Sequence, residues 1–114
     1  MVTLKNIELK IRGLLLALDA AGFGPKKALL FGSYAKGNPH EYSDLDVAIW
    51  ADGFTGMPLL DIERIAPLLR PFQPVELHPF HSGETKEDNP FIEEIERTGK
   101  DFSFLIPEKA SVPG

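Results

Sequence analysis

The chain has 114 residues, of which 43% are hydrophobic, and this size and composition predict one domain with its own core. The formal net charge of −5 argues against binding nucleic acid through its phosphates, and the lack of cysteine excludes disulfides and cysteine-based zinc sites. The apolar stretch 13–22 is short and contains Asp19, so it resembles neither a membrane span nor a signal peptide. We therefore expect a cytoplasmic protein without membrane contact.

The first predicted element is an amphipathic helix over 3–21, with Gly22 as its stop. Its apolar residues recur close to helical spacing: Ile7, Ile11, Leu14, Leu15 and Leu18. A short buried strand follows over 27–31. Ser33 is expected to cap a brief helix that ends at Gly37.

The middle of the chain predicts a loop over 38–43, a strand over 44–50 and a helix from Pro58 to about Arg70. Pro67 is expected to kink or shorten this helix. The residues predicted to face inward are Leu59, Ile62, Ile65, Leu68 and Leu69. A third strand over 74–80 shows alternating apolar and polar residues.

The last predicted helix begins at Asn89 and Pro90 and stops at Gly99. The segment 101–106 is either a final short strand or a packing segment. We expect one domain over 1–107 and a loose tail over 108–114. The order of elements predicts an α+β fold in two layers, a small sheet with helices packed on it.

Two acidic residues, Asp44 and Asp46, open the second strand, although like charges repel and resist burial. Residues i and i+2 of a strand share a face, with Cα atoms roughly 7 Å apart. A divalent cation would relieve both penalties, and Mg²⁺ favours a few carboxylates together with substrate phosphates. The pattern therefore predicts a metal site. The alternative interpretation is a turn acid followed by a strand-edge acid.

The residues after the first strand are suited to binding phosphate. Gly32 allows a close approach of the backbone, Ser33 offers a hydroxyl, and Lys36 adds a cation. Together with the acidic pair, they predict a site for a nucleoside triphosphate and its Mg²⁺. The alternatives are a turn glycine, a helix cap and a solvated lysine.

Glu76 lies between two apolar residues of the third strand and is the candidate for a third carboxylate of a two-metal site. The alternative is a solvent-facing residue of an edge strand. His78 and His81 lie close to it in sequence, and His40 lies in the loop before the acids. Histidines in such positions are more commonly loop or edge residues than ligands.

With these residues assembled, the chain resembles the nucleotidyltransferase superfamily of the DNA polymerase beta type, and more narrowly its minimal nucleotidyltransferases (MNT, MntA-like). The resemblance rests on "GSYAKG", then "SDLDVAI" and a later "VEL", within residues 30–78. It implies a polymerase beta palm-like fold with a small mixed sheet. It also implies that Gly32 and Ser33 hold the triphosphate and that Asp44 and Asp46 bind the metals.

The resemblance further implies Mg²⁺-dependent transfer of a nucleoside monophosphate, AMP from ATP, to a hydroxyl. Glu76 stands where the family usually has a third aspartate, a departure that leaves open a weakened or lost activity. Many minimal members pair with a helical HEPN protein in toxin–antitoxin modules, and some add AMP to that partner. The resemblance implies such a partner here.

The chain leaves few residues for an acceptor-binding domain. We therefore expect that the acceptor is held by a second protein or a second copy of the chain, or is itself a protein. Two alternatives stay open: a scaffold that neutralises a HEPN-like partner by contact alone, and a subunit of a small-molecule nucleotidyltransferase.

Overall fold

The computed structural model describes residues 3–37 and 44–108. The predicted loop 38–43, which includes His40, and most of the predicted tail lie outside the described residues. Within the described part, the helices are α1 (Leu4–Ala20), α2 (Pro58–Leu69) and α3 (Phe91–Thr98). The strands are β1 (Pro25–Phe31), β2 (Leu45–Ala51), β3 (Val75–His81) and β4 (Lys100–Asp101).

The four strands that the described residues form make one mixed sheet in the order β3-β2-β1-β4. β2 runs antiparallel to β1 and parallel to β3, and β4 pairs antiparallel with β1. The crossover from β2 to β3 passes through α2, as a parallel pair requires. The predicted α+β class with a small mixed sheet is confirmed.

The main core lies between one face of the sheet and helices α1 and α2. Thr3 caps α1, since its side chain accepts a hydrogen bond from the Asn6 amide. The buried residues of α1 are the five predicted from spacing: Ile7, Ile11, Leu14, Leu15 and Leu18. They pack against alternate residues of the central strands, among them Leu30, Val47 and Ile49. Local periodicity alone was sufficient to identify this face.

The predicted inward face of α2 is wrong in part. Ile65 is fully buried as expected, but Leu59 is 88% exposed and Ile62 is 42% exposed. The buried polar residue of α2 is Asp61, which accepts hydrogen bonds from the backbone amides of Thr55 and Gly56. These bonds fix the rotation of the helix, so that positions 61 and 65 face the core and position 59 faces outward.

Helix α3 packs on the opposite face of the sheet. Ile92 and Ile95 form a second apolar cluster with Leu29, Phe31, Ala48, Trp50 and Phe80. The indole of Trp50 stacks on Phe80, with ring centroids 5.0 Å apart. The sheet is therefore covered on both faces over part of its length. Residues at the start of β2 lie at the edge of the second apolar cluster.

Two further predictions need correction. Residues 33–37 form a turn rather than a brief helix, closed by the Lys36 amide donating to the Gly32 carbonyl at 3.1 Å. The final strand is restricted to Lys100–Asp101, and the buried side chains of Phe102 and Leu105 follow it. None of the helices in the described ranges has the length and apolar character needed to cross a membrane.

Candidate functional site

The pairing of the central strands brings two predicted carboxylates together. Asp46 of β2 and Glu76 of β3 are register partners in the parallel pair. The antiparallel pair places Phe31, the last residue of β1, opposite Asp46. Since β1 ends there, the Gly-Ser bend begins directly beside the first acidic residue of β2. The sheet register thus assembles three separate segments at one point.

Gly32 is required at this bend for two reasons. Its φ of +76° lies in the left-handed region, which L side chains rarely adopt. A Cβ placed on it would overlap the Oδ2 atom of Asp46. The predicted closeness of the Gly-Ser bend and the acidic strand is therefore a direct contact between the Gly32 backbone and the Asp46 carboxylate.

His78 joins the two carboxylates, although a histidine in such a position is more commonly a loop or edge residue than a ligand. Its Nε2 lies 3.2 Å from Oδ1 of Asp46. Its ring packs edge-on against Phe31, with centroids 4.8 Å apart, and lies 6.4 Å from the ring of Phe91. One donor atom each from Asp46, Glu76 and His78 lie within 4.8 Å of one another, so these residues could hold a metal ion.

Burial and the close approach of the carboxylates in this cluster shift the pKa of Glu76. Desolvation raises the pKa of the Glu76 carboxyl, and the carboxylates of Asp46 and Asp44 raise it further. His78 acts in the opposite direction because its positive form would stabilise the ionised carboxylate. A bound cation would favour the ionised form of all the acids at once.

The remaining predicted site residues lie around this cluster. Asp44 precedes β2, is exposed, and is not one of the three clustered donors, although its charge influences Glu76. Ser33 is half-buried in the turn that follows Gly32, and Lys36 at the end of that turn is exposed. The structure therefore places the predicted phosphate-binding segment next to the acids.

A cavity of about 700 Å³ opens beside β3, the edge strand of the sheet. Asp44, Glu76 and His78 line one side of it. The apolar part of its lining includes Pro58, Ile62 and Leu69 of α2 together with Leu77, Phe80 and Phe91. The acidic cluster is thus accessible from a pocket large enough for an organic group.

Two features of the site were missed by sequence reasoning. The role of His78 had a signal, because Glu76 and His78 are two residues apart on a strand and must share a face. Applying to this pair the rule used for Asp44 and Asp46 would have placed the imidazole beside the acids. The cavity had no such signal, since it depends on how α2 and α3 flank the sheet edge.

Comparison with protein families identifies the family of the chain. No curated protein matches the chain. Residues 11–110, which include every predicted site residue, match the sequence model of the nucleotidyltransferase domain. The mixed sheet of four described strands with three helices is consistent with that fold. The chain therefore belongs to the nucleotidyltransferase domain family.

Proposed function

We propose that this protein transfers a nucleoside monophosphate, AMP from ATP, to a hydroxyl acceptor on a partner protein. Membership of the family supports nucleotidyl transfer in general and implies a nucleoside triphosphate substrate. The observation that carries the proposal is the junction of Gly32, Asp46 and Glu76. It supports the proposal because the bend after β1 and a pair of acids lie within one site.

The acids fit a divalent cation, which the family typically uses. Desolvation raises the pKa of Glu76, the neighbouring Asp46 carboxylate raises it further, and a cation would remove the repulsion between the two acids. We propose Mg²⁺ as the working ion of a two-metal site, with Asp44 as a further carboxylate from the exposed start of β2. A divalent ion bound there would neutralise the triphosphate and polarise the α-phosphate.

The bend after β1 is proposed to bind the phosphates. The turn over residues 32–36 starts at Gly32, beside the Asp46 carboxylate, so phosphates bound at this bend would lie next to the acids. Ser33 adds its hydroxyl there, and the exposed Lys36 adds a positive charge at the end of the turn. These groups would orient the triphosphate toward Asp46.

Glu76 is proposed to position the acceptor hydroxyl and to take its proton. It borders the cavity beside β3, so an acceptor entering from that side meets its carboxylate. The acceptor oxygen then attacks the α-phosphorus in line, the bond from phosphorus to the bridging oxygen breaks, and pyrophosphate leaves. Catalysis of this kind depends mainly on positioning and charge neutralisation.

The acceptor is proposed to come from a second protein. The cavity has an apolar lining and opens at the sheet edge, which suits a side chain presented from outside. The resemblance to minimal nucleotidyltransferases favours a small helical HEPN-like partner in a cytoplasmic toxin–antitoxin pair. A second copy of the chain is the other candidate for completing the site.

The test is incubation of the purified protein and its co-purified partner with α-labelled ATP and Mg²⁺, followed by mass analysis. We expect label on the partner with the wild type and none with Asp46→Asn, whose folded state persists because one repelling charge is removed. The control is Asp52→Asn at the other end of β2, where the side chain is 58% exposed. Undiminished transfer by Asp46→Asn would refute the proposed site.

A second candidate function is a scaffold that neutralises the partner by contact without catalysis. The observation in its favour is Glu76, which stands where the resemblance calls for an aspartate. Calorimetry with Mg·ATP separates the two candidates. Metal-dependent nucleotide binding that Asp46→Asn abolishes favours the enzyme, while an absence of binding at high protein concentration favours the scaffold.

A further inference from the structure

We propose that the cation site contains an imidazole ligand, His78, and therefore binds imidazole-accepting first-row transition ions, such as Co²⁺ and Zn²⁺, in preference to Mg²⁺. This inference rests on the cation site of the proposed function and goes beyond it in naming a ligand and an ion class. Mg²⁺ would still support transfer when it is abundant. The preference is a property of the three side chains that meet at the start of β2 and β3.

Three donor atoms already lie close enough together to bind one ion. One ring nitrogen of His78, a carboxylate oxygen of Asp46 and a carboxylate oxygen of Glu76 lie within 4.8 Å of one another. Three ligands converging at this spacing leave further coordination positions for substrate oxygens, which is the arrangement of catalytic rather than structural metal sites. The 3.2 Å contact between Nε2 of His78 and Oδ1 of Asp46 places these two donor atoms side by side.

The imidazole of His78 is held in position before any ion binds. Glu76 and His78 alternate with the buried Val75 and Leu77, so the strand holds both side chains on the face that carries Asp46. Ring contact with Phe31 at 4.8 Å restricts the imidazole further. A ligand that is already held in place loses little conformational entropy when an ion binds.

The chemistry of the donors decides the ion. Carboxylate oxygens suit Mg²⁺, whereas an imidazole nitrogen suits the later first-row ions, whose affinity rises along the series toward copper. A site made only of Asp46, Glu76 and Asp44 would be an all-oxygen site that suits Mg²⁺. The imidazole therefore adds affinity for Co²⁺ or Zn²⁺ that it does not add for Mg²⁺.

The experiment measures the affinity of the full chain for Co²⁺ and for Mg²⁺ by calorimetry, with the visible absorption of bound Co²⁺ as a spectroscopic readout. We expect tighter binding of Co²⁺ than of Mg²⁺ in the wild type. His78→Gln should weaken Co²⁺ binding by at least about 10–100-fold, the loss that outer-shell partners alone can cause. Its Co²⁺ spectrum should shift, and its Mg²⁺ affinity should change far less.

The matched control is His81→Gln, at the last residue of the same strand, where the Nδ1 atom accepts a hydrogen bond from the Gly83 amide. It should retain the wild-type affinities and spectrum. His78→Asn is a second variant, and circular dichroism of each variant reports whether the fold is retained. Equal Co²⁺ affinity in the wild type and in a folded His78 variant would overturn the inference, as would tighter binding of Mg²⁺ than of Co²⁺ by the wild type.

The labelled-ATP assay separates this inference from the proposed function. If the wild type transfers label but His78→Gln keeps its Co²⁺ affinity, the proposed function stands and the imidazole ligand is wrong. If Co²⁺ binds through His78 but no ion supports transfer, the ligand assignment stands and the transfer reaction is wrong. Asp46→Asn should weaken the binding of both ions, since it removes a ligand common to both.

Discussion

Substitution of Gly32 by alanine tests the contact on which the site depends. Two effects act together at this position: the residue has φ of +76°, and an added Cβ would overlap Oδ2 of Asp46. The carboxylate must then turn away, and its 3.2 Å contact with His78 is lost. We therefore expect Gly32→Ala to reduce both stability and nucleotidyl transfer.

The two effects have different sizes. A left-handed conformation costs an L residue roughly 1–2 kcal/mol. Loss of the hydrogen bond between Asp46 and His78 adds about 1 kcal/mol. The sum of about 2–3 kcal/mol corresponds to a fall in Tm of roughly 8–12 °C for a domain of this size, within a total stability of about 5–15 kcal/mol. The variant should therefore stay folded at room temperature.

Gly22→Ala is the matched control. Gly22 has a φ of +85°, and a Cβ added there meets nothing within 4 Å. It should therefore lose about 1–2 kcal/mol from backbone strain alone and retain full transfer activity. Thermal unfolding by circular dichroism and label transfer from α-labelled ATP measure the two outcomes. Equal losses of stability in both variants, together with unchanged transfer by Gly32→Ala, would refute the reasoning.

Two further predictions concern other parts of the fold. Asp61→Ala should lower the free energy of unfolding by about 1–3 kcal/mol, because the Thr55 amide loses its acceptor. Urea unfolding measures this loss, and Glu63→Gln, at an exposed position of the same helix, should leave stability unchanged. A hydrogen bond from the Ser103 hydroxyl, reinforced by one from its amide, lowers the pKa of Asp101 below 3.8. The wild type should therefore be more stable than Asp101→Asn above pH 3.8, and this difference should disappear as the pH falls through the lowered pKa of the folded state. A difference in urea midpoint that persists in strong acid would contradict this prediction.

The contact between Gly32 and Asp46 is one that the local sequence pattern helps to predict. Glycine followed by serine at the end of an apolar run indicates a bend, and acids at the start of the next apolar run indicate a strand with a polar end. Because a hairpin-like antiparallel pair brings those two ends together, the contact follows from short-range order. The five buried residues of α1 were identified in the same way.

The error on α2 comes from interactions that the local pattern does not contain, and the error at His78 comes from such interactions only in part. The apolar residues of α2 are compatible with more than one inward face, and the bonds from Thr55 and Gly56 to Asp61 select one of them. Strand alternation puts His78 on the same face as Glu76, but its place beside Asp46 depends on which strand pairs with β2.

The sequence alone determined the order of the three helices and the first three strands, the bend at Gly32, and the presence of acids suited to a cation, because each depends on residues within a few positions of one another. The tertiary structure decided that Asp46 pairs with Glu76, 30 positions along the chain, and that His78 joins them. It also decided that a cavity opens beside β3. Strand register and helix rotation are set by packing over the whole domain, and no local stretch of sequence encodes them by itself.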